Sequence, residues 1–131
     1  MRRLLLPALA TIAMAAPAAA VGLGPLVKSG VTDGPRKAFY LTLFNPYPDR
    51  QAFTVYAVGP DSEDAQARVQ LPGGPVPMRG RSSRKFIVVA TALAPGETYT
   101  FRVCAEKLLD KDEPIHARVC SRLTARRIAG G

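Results

Sequence analysis

One histidine and two cysteines are all that the 131 residues offer of the side chains that most often do metal or nucleophilic chemistry. A hydrolase of the serine or cysteine type needs a base beside its nucleophile. The only histidine is His116, and Ser82 and Ser83 lie in no Gly-x-Ser-x-Gly context. No Gly-x-x-x-x-Gly-Lys loop is present to cradle phosphate, and there is no Cys-x-x-Cys redox motif. Cys104, His116 and Cys120 are zinc-ligand types. Four residues of strand nevertheless cover about 13 Å, so His116 and Cys120 share one ion only if the segment bends sharply. The acidic clusters Asp61, Glu63, Asp64 and Asp110, Asp112, Glu113 lack the spacing of a calcium loop and read as solvated loop charge. The expectation is a non-enzyme with no catalytic residue, no metal site and no cofactor.

Long hydrophobic runs are missing beyond the N-terminus. Arg2 and Arg3 precede an apolar stretch from Leu4 to Met14, broken by Pro7 and Thr11, and Ala18-Ala19-Ala20 follows as a small-residue cleavage site. That order is a secretory signal peptide over 1–20, with an uncleaved N-terminal anchor as the alternative. A spanning helix needs about 20 apolar residues, and no later segment supplies them. Cleavage after Ala20 leaves a domain over 21–131, exported to the periplasm or cell surface. Of the formal charge of +8, Arg2 and Arg3 carry two, which leaves +6 on the mature chain. Such a balance favours acidic partners without specifying one.

What the mature chain does contain is short β-type runs between proline and glycine turns. Seven are legible: Leu26 to Val31, Arg36 to Phe44, Gln51 to Val58, Ala67 to Leu71, Arg84 to Ala90, Thr98 to Ala105 and Ile115 to Leu123. Phe39, Leu41 and Leu43 alternate with Ala38, Tyr40, Thr42 and Phe44. Tyr99, Phe101 and Val103 alternate with polar neighbours in the same way. Period-2 alternation marks strands with one buried face. Ala94-Pro95-Gly96-Glu97 suits a type II turn. Pro77 is expected to keep its surroundings irregular, 106–114 to be a polar connection with one helical turn, and the tail from about 126 to be disordered. The fold class is all-β, a single immunoglobulin-like sandwich of about seven antiparallel strands, with a small barrel as the alternative.

Two cysteines in an exported chain form one disulfide, Cys104–Cys120. Both lie on the polar face of their strands. Antiparallel pairing with the cysteines opposed sets Glu106 against Arg118 and Phe101 against Leu123, and less favourably Arg102 against Arg122. Closing that loop is worth about 3 kcal/mol in the chain-entropy model.

Two surfaces remain as binding candidates. Arg79, Arg81, Arg84 and Lys85 form a basic cluster that reads as a flexible loop entering a strand. Such a loop would grip phosphate or sulfate in a polyanion, or else stay solvated. The terminal strands are the other candidate, because a sheet edge offers unpaired N–H and C=O groups to an added strand. The last strand is expected to keep one free edge and to bind a protein partner through Ile115, Arg118, Val119, Arg122 and Leu123.

The strand, Asn-Pro turn and strand from Phe39 to Val58, together with the Leu-x-Pro-Gly turn feeding Thr98 to Val103, resemble immunoglobulin-like domains of exported bacterial proteins. In particular they resemble the N-terminal domain of periplasmic pilus-assembly chaperones. The resemblance implies a protein-binding, chaperone-like or assembly role. Those chaperones have two domains and hold a subunit's terminal carboxylate with an Arg–Lys pair. Here there is room for one domain, and only Lys28 offers itself for the pair. The function expected is therefore a non-enzymatic β-sandwich that binds another protein as an assembly accessory, with polyanion binding as the alternative.

Overall fold

A computed structural model describes residues 21–109 and 117–130. The expected signal peptide over 1–20, the connection around 110–114, and Ile115 and His116 lie outside the described residues.

Among the described residues nine strands form, in chain order β1 (Gly22–Gly24), β2 (Val27–Thr32), β3 (Lys37–Phe44), β4 (Gln51–Val58), β5 (Val69–Gln70), β6 (Val76–Met78), β7 (Ser83–Ala90), β8 (Thr98–Lys107) and β9 (Arg118–Arg127). They make two sheets, a four-stranded one ordered β1-β3-β7-β5 and a five-stranded one ordered β2-β9-β8-β4-β6. The two face each other as a sandwich. The rows that the alternation marks on β3 and β8 face inward, and Phe39, Leu41 and Leu43 of β3, Val88 and Ala90 of β7, Phe53 of β4, Phe101, Val103 and Ala105 of β8, and Leu123 and Ala125 of β9 are all buried. Phe39 and Phe101 meet across the core edge to face, with ring centroids 6.3 Å apart.

Two strands beyond the expected seven come from identifiable causes. One is β1, which precedes the first expected run: it pairs with β3, and at the cis Gly24–Pro25 bond the chain crosses to the other sheet, where β2 runs parallel to β9. Pro77 does not exclude a strand, because β6 is a three-residue edge strand, where a missing N–H costs little. The last strand also runs further than expected. Arg126 and Arg127 pair with β2, Arg126 pairs with Thr98 of β8, and Ile128 N donates to Thr32 O at 3.0 Å, so the tail is not disordered from 126.

The β8–β9 register sets Cys104 against Cys120, Phe101 against Leu123, Arg102 against Arg122 and Glu106 against Arg118. Gly96 takes φ 78° and Glu97 N donates to Ala94 O at 3.0 Å, as the proline–glycine turn requires.

Candidate protein-binding site

The five-stranded sheet ends at β2. Leu26 O accepts from Arg122 N and Thr32 O accepts from Ile128 N, so alternation directs the backbone groups of Val27, Ser29 and Val31 away from β9 into the open. The side chains of this edge are apolar and unusually bare: Val27 is 72%, Val31 59% and Leu26 55% exposed. Lys28 is the strand's single charge, placed opposite Leu123. Six residues of edge with neither proline nor a carboxylate lack most of the devices that keep a strand from pairing.

The free edge expected of the last strand is not there from Arg122 on. From Arg122 to Arg127, β9 lies between β8 and β2 and is no edge. Leu123 is buried in the core and Val119 packs against it. Arg118 and Arg122 are held by the loop between β4 and β5. Glu63 takes Arg118 Nη1 and Nη2 at 2.8 and 2.7 Å, and Arg102 Nη2 at 3.2 Å. Pro60 O accepts from Arg122 at 3.2 Å, and Asp61 lies 3.8 Å from the same guanidinium. The Arg102–Arg122 opposition is relieved in this way, since each guanidinium turns to a different part of one loop. Glu63 is thus a specific counter-ion rather than solvated loop charge. Cys104 and Cys120 are joined as a disulfide, with Cys104 fully buried although it belongs to the outer face.

Hydrogen bonding to Arg118, and next to Arg102, holds the Glu63 carboxyl down at about 2 from the ordinary 4.5, against some desolvation. Glu97 is held at about 2 by Arg68, which it binds through both oxygens at 2.7 and 2.9 Å, and by Ala94 N. A carboxylate depressed by folding stabilises fully above its unfolded pKa, and that contribution fades as pH falls toward its folded value. The melting temperature should therefore fall as pH drops from about 4.5 toward 2. Glu97→Gln should flatten that fall, and an unchanged slope in thermal scans across the window would refute the assignment.

The basic cluster is built, not flexible. Arg81 N donates to Tyr47 O at 2.9 Å, Asn45 N to Ser82 O at 2.9 Å, and Ser82 Oγ to Arg79 O at 2.6 Å. Asn45, fully buried, anchors the turn. Its Nδ2 reaches the carbonyls of Asp49, Met78 and Arg79 at 3.0–3.3 Å, and its Oδ1 accepts from Tyr47 N at 2.9 Å. Arg81 sits at φ 54° in this clamp. Asn45 was not singled out by the sequence, although an asparagine before a proline at a strand end is a signal for such a bond network.

No family model and no curated protein matches the chain. Solved structures do. A chain in the complex of the Salmonella enterica SafA pilin with the SafB chaperone superposes with a TM-score of 0.69 at 15% identity, over 86% of this chain and 57% of that one. The E. coli chaperone DraB gives 0.66 at 15% identity, over 84% and 56%. The PapD-like domain 7 of human CEP192 gives 0.66 at 14% identity, over 99% and 96%. The chain has the PapD-like immunoglobulin fold. It spans little more than half the length of the chaperones and nearly all of the CEP192 domain. At such identities a PapD-like likeness speaks for fold alone, and function has to be argued from the edges described above.

Proposed function

We propose that this PapD-like domain is a non-enzymatic assembly module of the cell envelope, exported through the segment 1–20, that holds an extended segment of another protein along the free edge of β2. The observation that carries the reading is that edge: outward backbone groups at Val27, Ser29 and Val31, beside exposed Leu26, Val27 and Val31. An added strand would pair its backbone there and lay apolar side chains against the two valines. Arg122 and Arg126 stand opposite Val27 and Val31 on β9, so the same stripe has cationic neighbours for an acidic rim. Support for the assembly role comes from the fold shared with chaperones, among them one solved with a pilin and the CsuC chaperone solved with the CsuE tip subunit. The basic cluster as a polyanion site draws no support from those structures.

The test is a photo-crosslinker placed at Val27 or Val31 in the native host, with Thr100, mid-sheet, as control. The expected product is a discrete adduct from the edge positions whose other half maps to one extended segment. Ser29→Pro should abolish it, because that N–H faces the open edge and is not in the β2–β9 ladder. The same material should carry a chain beginning at Val21. Equal labelling from Thr100, adducts indifferent to Ser29→Pro, or a native chain retaining Met1 in the cytoplasm would each overturn the part it addresses.

A further inference from the structure

The four-stranded sheet has a second opening, unrelated to β2. After Gln70 the chain leaves β7 and crosses to the other sheet as β6. Pro72 and Pro75 cannot donate to a ladder, and Gly74 takes φ 72°, so the segment turns away after only two residues of pairing. β7 is left with one side uncovered over most of its length. Thr91 N donates to Arg68 O on that side, and Ser82 O accepts from Asn45 N on the other. Alternation then aims the backbone groups of Ser83, Lys85 and Ile87 outward, where the described residues supply no strand.

A cleft of about 460 Å³ runs along this edge, lined by Tyr40, Pro72, Val76, Arg84, Lys85 and Ile87 among others. Tyr40 is 56% and Ile87 43% exposed. The charge here is of one sign. Arg68, Arg102, Arg118 and Arg122 each meet a carboxylate. Among the described residues, no ion pair involves Arg79, Arg81, Arg84 or Lys85, and Lys85 instead stands 5.9 Å over the Tyr40 ring. The clamped turn holds Arg79 and Arg81 at the start of β7. Open backbone, an apolar cleft and four unneutralised cations converge on one strand.

We propose that the free edge of β7 is a second docking site, which takes an extended acidic segment of a protein as an added strand. The backbone of Lys85 and Ile87 pairs with it, its apolar residues on one face enter the cleft beside Tyr40 and Ile87, and its carboxylates on the other face meet Arg84, with Lys85 adding to the local positive field. The proposal uses different residues from the β2 reading and stands or falls separately.

The probe is a capped synthetic peptide of about nine residues alternating valine and glutamate, long enough to span the exposed part of β7. A valine–lysine peptide and heparin serve as comparisons. With the glutamate peptide, hydrogen exchange at the Lys85 and Ile87 amides should slow, and raising salt should weaken binding. Arg84→Glu with Lys85→Glu should cost about tenfold or more in affinity. Ile87→Pro, which removes an outward N–H and no ladder bond, should do the same, while Ser29→Pro should leave binding at β7 intact. Should Ile87→Pro fail to fold, the charge-reversed variant and the exchange pattern still decide. No protection at Lys85 and Ile87, equal binding of the lysine peptide, or binding of heparin alone would overturn the proposal, the last returning the cluster to a polyanion surface.

Discussion

Phe101→Ala should be the most damaging single truncation in the domain, lowering stability by about 3–5 kcal/mol. Phe101 is wholly buried in the central strand of the five-stranded sheet, edge-on to Phe39 of the opposite sheet and 5.1 Å from the Tyr99 ring. Truncation removes the contact that ties the layers together, and the surrounding rows are held by ladders on both sides, so they cannot close the void. For a domain of this size the loss corresponds to a fall in melting temperature of about 15–30 °C. Phe101→Leu, which keeps most of the volume, should cost less than half as much. Urea unfolding of the three proteins decides it. A loss under about 1.5 kcal/mol for alanine would mean that the two sheets are not held together at this residue.

The strands with strict alternation were legible because period-2 burial is local. β3, β4 and β8 read directly from apolar residues two apart, β7 from its β-branched and aromatic composition, and opposing Cys104 to Cys120 fixed the β8–β9 register along its length. What escaped depends on residues far apart in sequence. The parallel pairing of β2 with β9 joins the two ends of the domain, and nothing in Leu26 to Val31 says which strand it will meet. That pairing alone moves the free edge from β9 to β2, and so moves the candidate site. Arg126 and Arg127 read as a charged tail, yet Ala125 beside them is buried and both arginines continue the ladder. Glu63 looked like loop charge because its partners, Arg102 and Arg118, lie some 40 and 55 residues on. The basic cluster was found by composition, but its rigidity was not, since the clamp comes from Asn45 more than 30 residues earlier.

That clamp carries the other large expectation, a loss of about 3 kcal/mol for Asn45→Ala. One buried side chain shares its two amide hydrogens among three carbonyls, those of Asp49, Met78 and Arg79, and accepts from the amide of Tyr47. A net contribution near 1 kcal/mol per bond sets the scale, and groups left without a partner away from water raise it. Asn45→Asp should be no better: it keeps an acceptor for Tyr47 N but turns a carboxylate toward three carbonyl oxygens. Gly80→Ala should reach a similar loss by a different route, because a methyl there would collide with the backbone carbonyl of Pro48 in the facing turn. The two routes damage one contact between turns, so their costs should not add. A double variant falling well short of the summed single losses in urea unfolding is the expected result. Additive losses would mean that Asn45 and Gly80 serve separate structures. If Asn45→Ala costs under about 1 kcal/mol, the turn stands without its asparagine, and the rigid presentation of Arg79 and Arg81 beside β7 loses its physical basis.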